Sequence, residues 1–196
     1  MSESICVDIS FYLLSADEIV ITTGSALGYR NDLNDTKLIK IRYDGSIITT
    51  PTPCKLPDYP FTLYGAKGNF LLESNDNMIC GGGNYWEGMT TNKCYQFNTD
   101  DIAWKEVSPL KIKRYRHAIT SIDRSIVTCG GGTASRFHPS VIAYKALSSC
   151  EILENGKGQW TTMKPLPTRL TGHCMVAMDA STIAVLGGYG PSGVRV

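Results

Sequence analysis

Three histidines and seven cysteines are the side chains that could do chemistry in this chain of 196 residues. His117 and His173 are separated by the same number of residues as Trp104 and Trp160. Residues that recur in register read as framework rather than as catalysts. His138 lies in Ser135-Arg136-Phe137-His138-Pro139 and reads as a solvated loop residue. No two cysteines form a Cys-x-x-Cys pair, which argues against a zinc site. There is no Gly-x-x-x-x-Gly-Lys-Ser/Thr loop and no Gly-x-Ser-x-Gly elbow. The runs Gly81-Gly82-Gly83 and Gly130-Gly131-Gly132 precede no helical pattern, so they read as turns and not as phosphate cradles. Asp100-Asp101, Glu151 and Glu154 read as solvated loop carboxylates. The expectation is a protein with no catalytic residues, no metal and no cofactor.

The bulk composition narrows the partners. Net charge is +1, from 19 basic and 18 acidic residues, which gives no long-range pull toward nucleic acid or an anionic membrane. Lys111, Lys113, Arg114 and Arg116 form one basic cluster, read as rim surface. Hydrophobic content of 42% marks a globular chain. No apolar run approaches the ~18 residues of a spanning helix. The start, Met1 to Asp8, lacks the positive end and long apolar centre of a signal peptide. That implies a cytosolic protein or an N-terminus that is not the natural one.

The elements that must carry these residues are strands. Glu18-Ile19-Val20-Ile21-Thr22-Thr23-Gly24 is a β-branched run ending in a glycine turn, and Lys37–Tyr43 alternates apolar and polar residues. Asp44-Gly45 predicts a hairpin into Ser46–Thr50. Gly68–Glu73, Asn77–Cys80, Lys93–Asn98 and Ala103–Val107 predict a four-stranded antiparallel unit. The pattern returns from Arg116-His117 to Pro165-Leu166-Pro167, and begins again at His173. A self-similarity of about 50 residues marks a repeat architecture. The repeats run roughly 18–60, 64–110, 116–167 and 173–196, the last incomplete, within a single all-β region.

These units resemble kelch repeats. The resemblance rests on Gly81-Gly82, Tyr95 and Trp104 in the second repeat, Gly130-Gly131 and Trp160 in the third, and Gly187-Gly188 in the fourth. It implies a β-propeller of four-stranded blades, with glycines at the turn between the second and third strands and tryptophan filling the wedge between blades. So few repeats imply an incomplete ring, whose open blade faces would take further blades or another chain. In the blade pattern Cys80 and Cys129 end the second strand, while Cys94 and Cys150 begin the third. The first repeat has Thr23 in place of the first and no cysteine in place of the second, so both members are present or both absent. This implies Cys80–Cys94 and Cys129–Cys150 disulfides and an extracellular setting, with which the sequon Asn34-Asp35-Thr36 agrees. Buried free thiols in a cytosolic protein are the alternative. Cys6, Cys54 and Cys174 read as buried thiols.

The function implied is a protein-interaction module. The loops after the glycines, with Tyr85 and Trp86 in one and Arg136, Phe137 and His138 in the other, would present the contact surface. One alternative is the substrate-recognition part of a cytosolic ubiquitin-ligase adaptor. Another is the remnant of a copper radical oxidase-like propeller, whose site would need two histidines, two tyrosines and a Cys–Tyr crosslink converging on the ring axis.

Overall fold

The computed structural model describes residues 8–15, 18–24, 40–41, 47–48, 67–71, 76–84, 89–98, 103–138 and 141–192. The first strands are β1 (Asp8–Ser15), β2 (Glu18–Gly24), β3 (Lys40–Ile41) and β4 (Ile47–Ile48). They are followed by β5 (Lys67–Leu71), β6 (Asp76–Cys80), β7 (Gly83–Asn84), β8 (Met89–Thr90), β9 (Cys94–Asn98) and β10 (Ala103–Val107). Then come β11 (Ala118–Ile122), β12 (Ser125–Cys129), β13 (Gly132–His138), β14 (Val141–Ala146), β15 (Cys150–Leu153), β16 (Thr161–Met163), β17 (Cys174–Ala177) and β18 (Ile183–Leu186). The first sheet opens with β1, upstream of the Glu18 at which the sequence pattern begins.

The strands form antiparallel sheets in the orders β1-β2-β3-β4, β10-β9-β6-β5 and β11-β12-β15-β16, with β17-β18 as a two-stranded sheet. Their first strands, β1, β5, β11 and β17, stand beside one another in chain order. Each sheet is thus a blade, stacked on the next.

Why the strands are so apolar follows from the stacking. In β12, Ser125-Ile126-Val127-Thr128-Cys129, four consecutive residues are buried, because both faces of the third blade are covered. One face packs with the second blade: Met78, Cys80, Cys94, Leu110, Ile126, Leu153 and Trp160 form one core. The other packs with the fourth: Ala118, Val127, Cys129, Cys150 and Met175 form a second core. Trp160 is 1% exposed, and its indole N–H donates to the carbonyl of Ser108, just past β10 of the preceding blade (3.0 Å). It is the wedge that the repeat pattern calls for. Trp104, its counterpart, is half-buried.

Between blades the backbone comes very close. A Cβ on Gly81 would meet the Arg114 carbonyl oxygen at 2.5 Å and His117 Cε1 at 2.7 Å, and one on Gly131 would meet His117 Cβ at 2.8 Å. His173 stands in the same way between Gly130 and Gly188. Each histidine is therefore lodged between the glycine turns of two successive blades, which explains why histidine and glycine recur together. The backbone bonds recur too: Gly82 N–H donates to Arg114 O and Gly131 N–H to Leu170 O, each at 2.8 Å.

Two charges read from sequence as solvent-facing are buried. Arg114 is 0% exposed and Glu151 1%, and they form an ion pair at 2.6 Å. Arg114 Nη1 also donates to the carbonyls of Gly130 (2.7 Å) and Ser149 (3.0 Å). Glu151 accepts from the backbone N–H groups of Lys111 (2.6 Å) and Ile112 (3.1 Å). Burial pulls the Arg114 guanidinium down from its ordinary value, while the hydrogen bond and charge of Glu151 push it back up. A lone charge there would cost about 3–5 kcal/mol, so the two must come together. The pair fastens the connection between β10 and β11 to the third blade. Lys111 and Lys113 of the same cluster are exposed, and Arg116 is half-buried.

Both cysteine pairs are bonded. Cys80 faces Cys94 across β6 and β9, Cys129 faces Cys150 across β12 and β15, and each pair is joined as a disulfide with Cα atoms 4.1 Å apart. Both bridges lie in the cores, on the side of their blade that faces the next one. Cys174 departs from the sequence reading: it is exposed, not buried. Its counterpart Ala118 is covered by the fourth blade, and nothing among the described residues covers Cys174 in that way. Alkylation of the unreduced, denatured chain should label Cys174 and leave Cys80, Cys94, Cys129 and Cys150 unlabelled, as read by peptide mass mapping.

The glycine contacts also set an expectation. Gly131→Ala should cost about 3 kcal/mol, combining a left-handed backbone (φ +85°) with a side chain forced against Tyr115 and His117. Gly187→Ala shares the left-handed backbone (φ +62°) but meets no described atom within 4 Å, and should cost about 1 kcal/mol. Urea denaturation of the two variants measures the difference.

Candidate interaction rim

The glycine turns do not lead into loops. After Gly81-Gly82 the chain forms the short hairpin β7–β8, and after Gly130-Gly131 it forms the longer hairpin β13–β14. Ser135, Arg136, Phe137 and His138, read from sequence as a loop, are thus strand residues of β13. The register runs from Gly132 opposite Ala146 to Arg136 opposite Ile142, with an irregularity before His138. In the sequence Pro139-Ser140 separates two runs of strand formers, a turn signal that was overlooked. Tyr85 and Trp86 lie outside the described residues, as do Asn34, Cys6 and Cys54.

Both hairpins are tied at the base in the same way. Thr91 N–H donates to Gly82 O and Leu147 N–H to Gly131 O, each at 2.8 Å. Gly81 N–H donates to Lys93 O (2.9 Å), and Gly130 N–H to Ser149 O (3.0 Å). Just outside these bonds sit the disulfides. The Cys80–Cys94 bridge closes the chain around β7–β8, and Cys129–Cys150 closes it around β13–β14.

Among the described residues, the Thr90 side chain joins the two hairpins. Thr90, at the end of β8, is 8% exposed. Its Oγ1 donates to the carbonyl of Ala134 (2.9 Å) and accepts from the Ala134 N–H (2.8 Å). The hydroxyl therefore does for the side of β13 what a neighbouring strand would do. The β7–β8 and β13–β14 hairpins, far apart along the chain, are thereby tied side by side.

The charge at the rim is uneven. From Gly132 to Ser149 the sequence holds Arg136, His138 and Lys145 and no carboxylate. At the foot of the first hairpin Lys93 pairs with Glu106 (3.1 Å), and Tyr95 O–H donates to the same carboxylate oxygen (3.3 Å). Hydrogen bonding of Lys93 to Glu106 first, and to the Tyr95 hydroxyl second, raises the Lys93 pKa above its ordinary value. The Tyr95 ring is buried at 7% exposure, as its place in the repeat implies. Ala143, Tyr144 and Lys145 on β14 are exposed, Tyr144 at 46%. Thr90 did not stand out in the sequence, because its role depends on a contact between repeats.

Thr90→Val should remove both bonds to Ala134 and cost about 1–2 kcal/mol. Hydrogen exchange of the Ala134 amide should speed up, while that of β12 stays slow.

Comparisons with known proteins agree with the blade geometry. No family model matches the chain. Kelch-like protein 41a of Danio rerio is 26% identical over 120 residues, which is 61% of this chain and 18% of that protein's length. The solved structure of YjhT superposes with a TM-score of 0.63 at 13% identity, over 82% of this chain and 48% of that one. The chain thus spans under a fifth of the curated relative and about half of the solved structure. With the repeats in register, the stacked four-stranded blades and these two likenesses, the chain has the blade architecture of a kelch-type β-propeller and is similar to kelch-repeat proteins.

Proposed function

We propose that this chain is a protein-interaction module whose contact surface is the rim made by the β7–β8 and β13–β14 hairpins. The observation that carries the reading is the joining of the two hairpins through Thr90, on bases closed by disulfides. A rim held in this way loses little freedom when a partner docks, and that is where binding energy is usually forfeited. The blade interiors are committed to stacking, with His117 and His173 wedged between glycine turns. The reading assigns the chain no catalytic step.

The test is a double substitution at the rim, Trp86→Ala with Phe137→Ala. Tagged wild-type chain and variant are compared for crosslinked partners in an extract of the native source. The variant should keep its thermal unfolding midpoint and lose at least about tenfold in partner capture, since aromatic anchors typically supply 2 kcal/mol or more. Equal capture by both proteins would overturn the rim assignment.

A further inference from the structure

We propose that the end of the blades from which the hairpins rise docks an acidic segment of a partner protein, one whose carboxylates are spaced by apolar residues, through Lys111, Lys113, Lys145, Lys164 and Arg169. The inference rests on the rim reading above and names the chemistry of the partner.

The topology sorts the connections between strands into two ends. Val107 stands opposite Cys94, Met163 opposite Cys150 and Ala118 opposite Cys129. The connections from β10 to β11 and from β16 to β17 therefore leave the same end as the disulfides and the hairpins. Ile122 stands opposite Ser125, Leu153 opposite Ile126 and Ala177 opposite Ile183, so the connections after β11, β15 and β17 lie at the other end. Charge follows this division. At the hairpin end, every charged residue of 108–117, 130–149 and 164–173 is a lysine or an arginine. The connections at the other end hold Asp123, Glu154 and Asp179 beside Arg124 and Lys157. Arg114 is matched by Glu151 inside the blade, but Lys111, Lys113, Lys145, Lys164 and Arg169 are exposed. The net charge of +1 for the whole chain conceals this local excess. Strand β12, of five residues, is about 15 Å long, against a screening length of ~8 Å at physiological salt. A ligand at one end thus feels little of the charge at the other.

Backbone bonds gather the basic residues. Tyr115 N–H donates to Gly132 O and Gly132 N–H to Tyr115 O, each at 2.8 Å, which ties the first connection to the foot of β13. Leu166 N–H donates to Ser148 O (2.8 Å) and Leu170 N–H to Leu147 O (3.1 Å), which ties the second to the foot of β14. Gly172 N–H donates to Arg116 O (2.8 Å) and joins the two connections directly. The β13–β14 hairpin therefore stands between two basic connections that are fixed before a partner arrives. Lys113 and Arg169 fall at matching points in them, each one residue before the carbonyl that receives a glycine-turn N–H. Half-buried apolar residues lie among the cations: Ile112 between Lys111 and Lys113, Leu147 two residues from Lys145, and Leu166 two residues from Lys164. A run of phosphates would use only the charges. Carboxylates spaced by apolar side chains use both, with the charges supplying selectivity and speed of association.

The experiment titrates the full oxidised chain, by fluorescence anisotropy, against a labelled, end-capped peptide of glutamates spaced by leucines and serines. Counterparts carry lysine for glutamate or serine for leucine, and a labelled DNA duplex serves as a long polyanion. The glutamate peptide should bind at least about tenfold more tightly than the lysine peptide, since like charges are excluded. It should also bind more tightly than its leucine-free form, and weaken as salt rises. Lys113→Glu and Arg169→Glu should each weaken it about threefold, the scale of an exposed ion pair, with the thermal midpoint unchanged. Lys157→Glu, at the other end, should leave binding unaltered. No binding of the glutamate peptide, equal binding of the lysine peptide, or equal losses in all three variants would overturn the proposal. A duplex bound more tightly than the peptide, or a leucine-free peptide bound equally well, would assign the face to polyanions in general and overturn it too. If the peptide fails while partner capture still falls in the Trp86→Ala, Phe137→Ala variant, the charge assignment alone is lost. If the peptide fails and that variant captures its partner normally, the rim reading is lost with it.

Discussion

The structure depends on the close seat of a histidine between two glycine turns. His117 fills the space where Gly81 and Gly131 have no side chain, and His173 does the same at Gly130 and Gly188. No other residue could occupy these turns without moving backbone, because the contacts are to main-chain atoms as well as to the ring. The spacing set there fixes how far apart the sheets stand. The two cores follow from that spacing. Met78, Ile126, Leu153 and Trp160 fill one gap, and Val127, Cys150 and Met175 fill the next. The blade, as a unit, cannot be understood without the turn of its neighbour.

Much of this was legible in the sequence because the residues that set the spacing recur as types. Glycine pairs, tryptophans and histidines return together, and each answers to the same steric demand in each blade. The cysteine pairing was legible for a similar reason: register places Cys80 opposite Cys94 and Cys129 opposite Cys150. Charges were not legible in this way. Glu151 occupies the position that Tyr95 holds in the preceding blade, and its contacts with Arg114 and with the Lys111 and Ile112 N–H groups separate it from a solvated carboxylate. That contact joins residues far apart in sequence, and composition is silent on it. Cys174 shows the same limit, since its exposure is decided by what covers the sheet rather than by its neighbours along the strand.

The rim was located from sequence but not shaped by it. Glycine turns followed by stretches that differ between the repeats signal connections that leave the blade. That the connections are hairpins depends on pairing within each insert, and among the described residues the Thr90 hydroxyl brings them together. A polar contact between repeats thereby ties two local features together. The division of labour is physical. Apolar burial between blades supplies the scaffold, while polar contacts such as those of Thr90 with Ala134 tie the inserts to one another.

The position of the two disulfides has a consequence for how such a chain can change. Each bridge spans the mouth of an insert, with a sequence separation of 14 for one and 21 for the other. The inserts already differ in length while their mouths are alike. Because the sulfur link holds the mouth, the entropy of a longer insert rises only with the logarithm of its length and is not passed to the blade. A protease that cuts the tip of an insert would leave both ends attached and the blade covalently continuous. The rim is in this sense replaceable tissue on a permanent frame. Residues can be added, exchanged or nicked there without the stacked sheets registering the change.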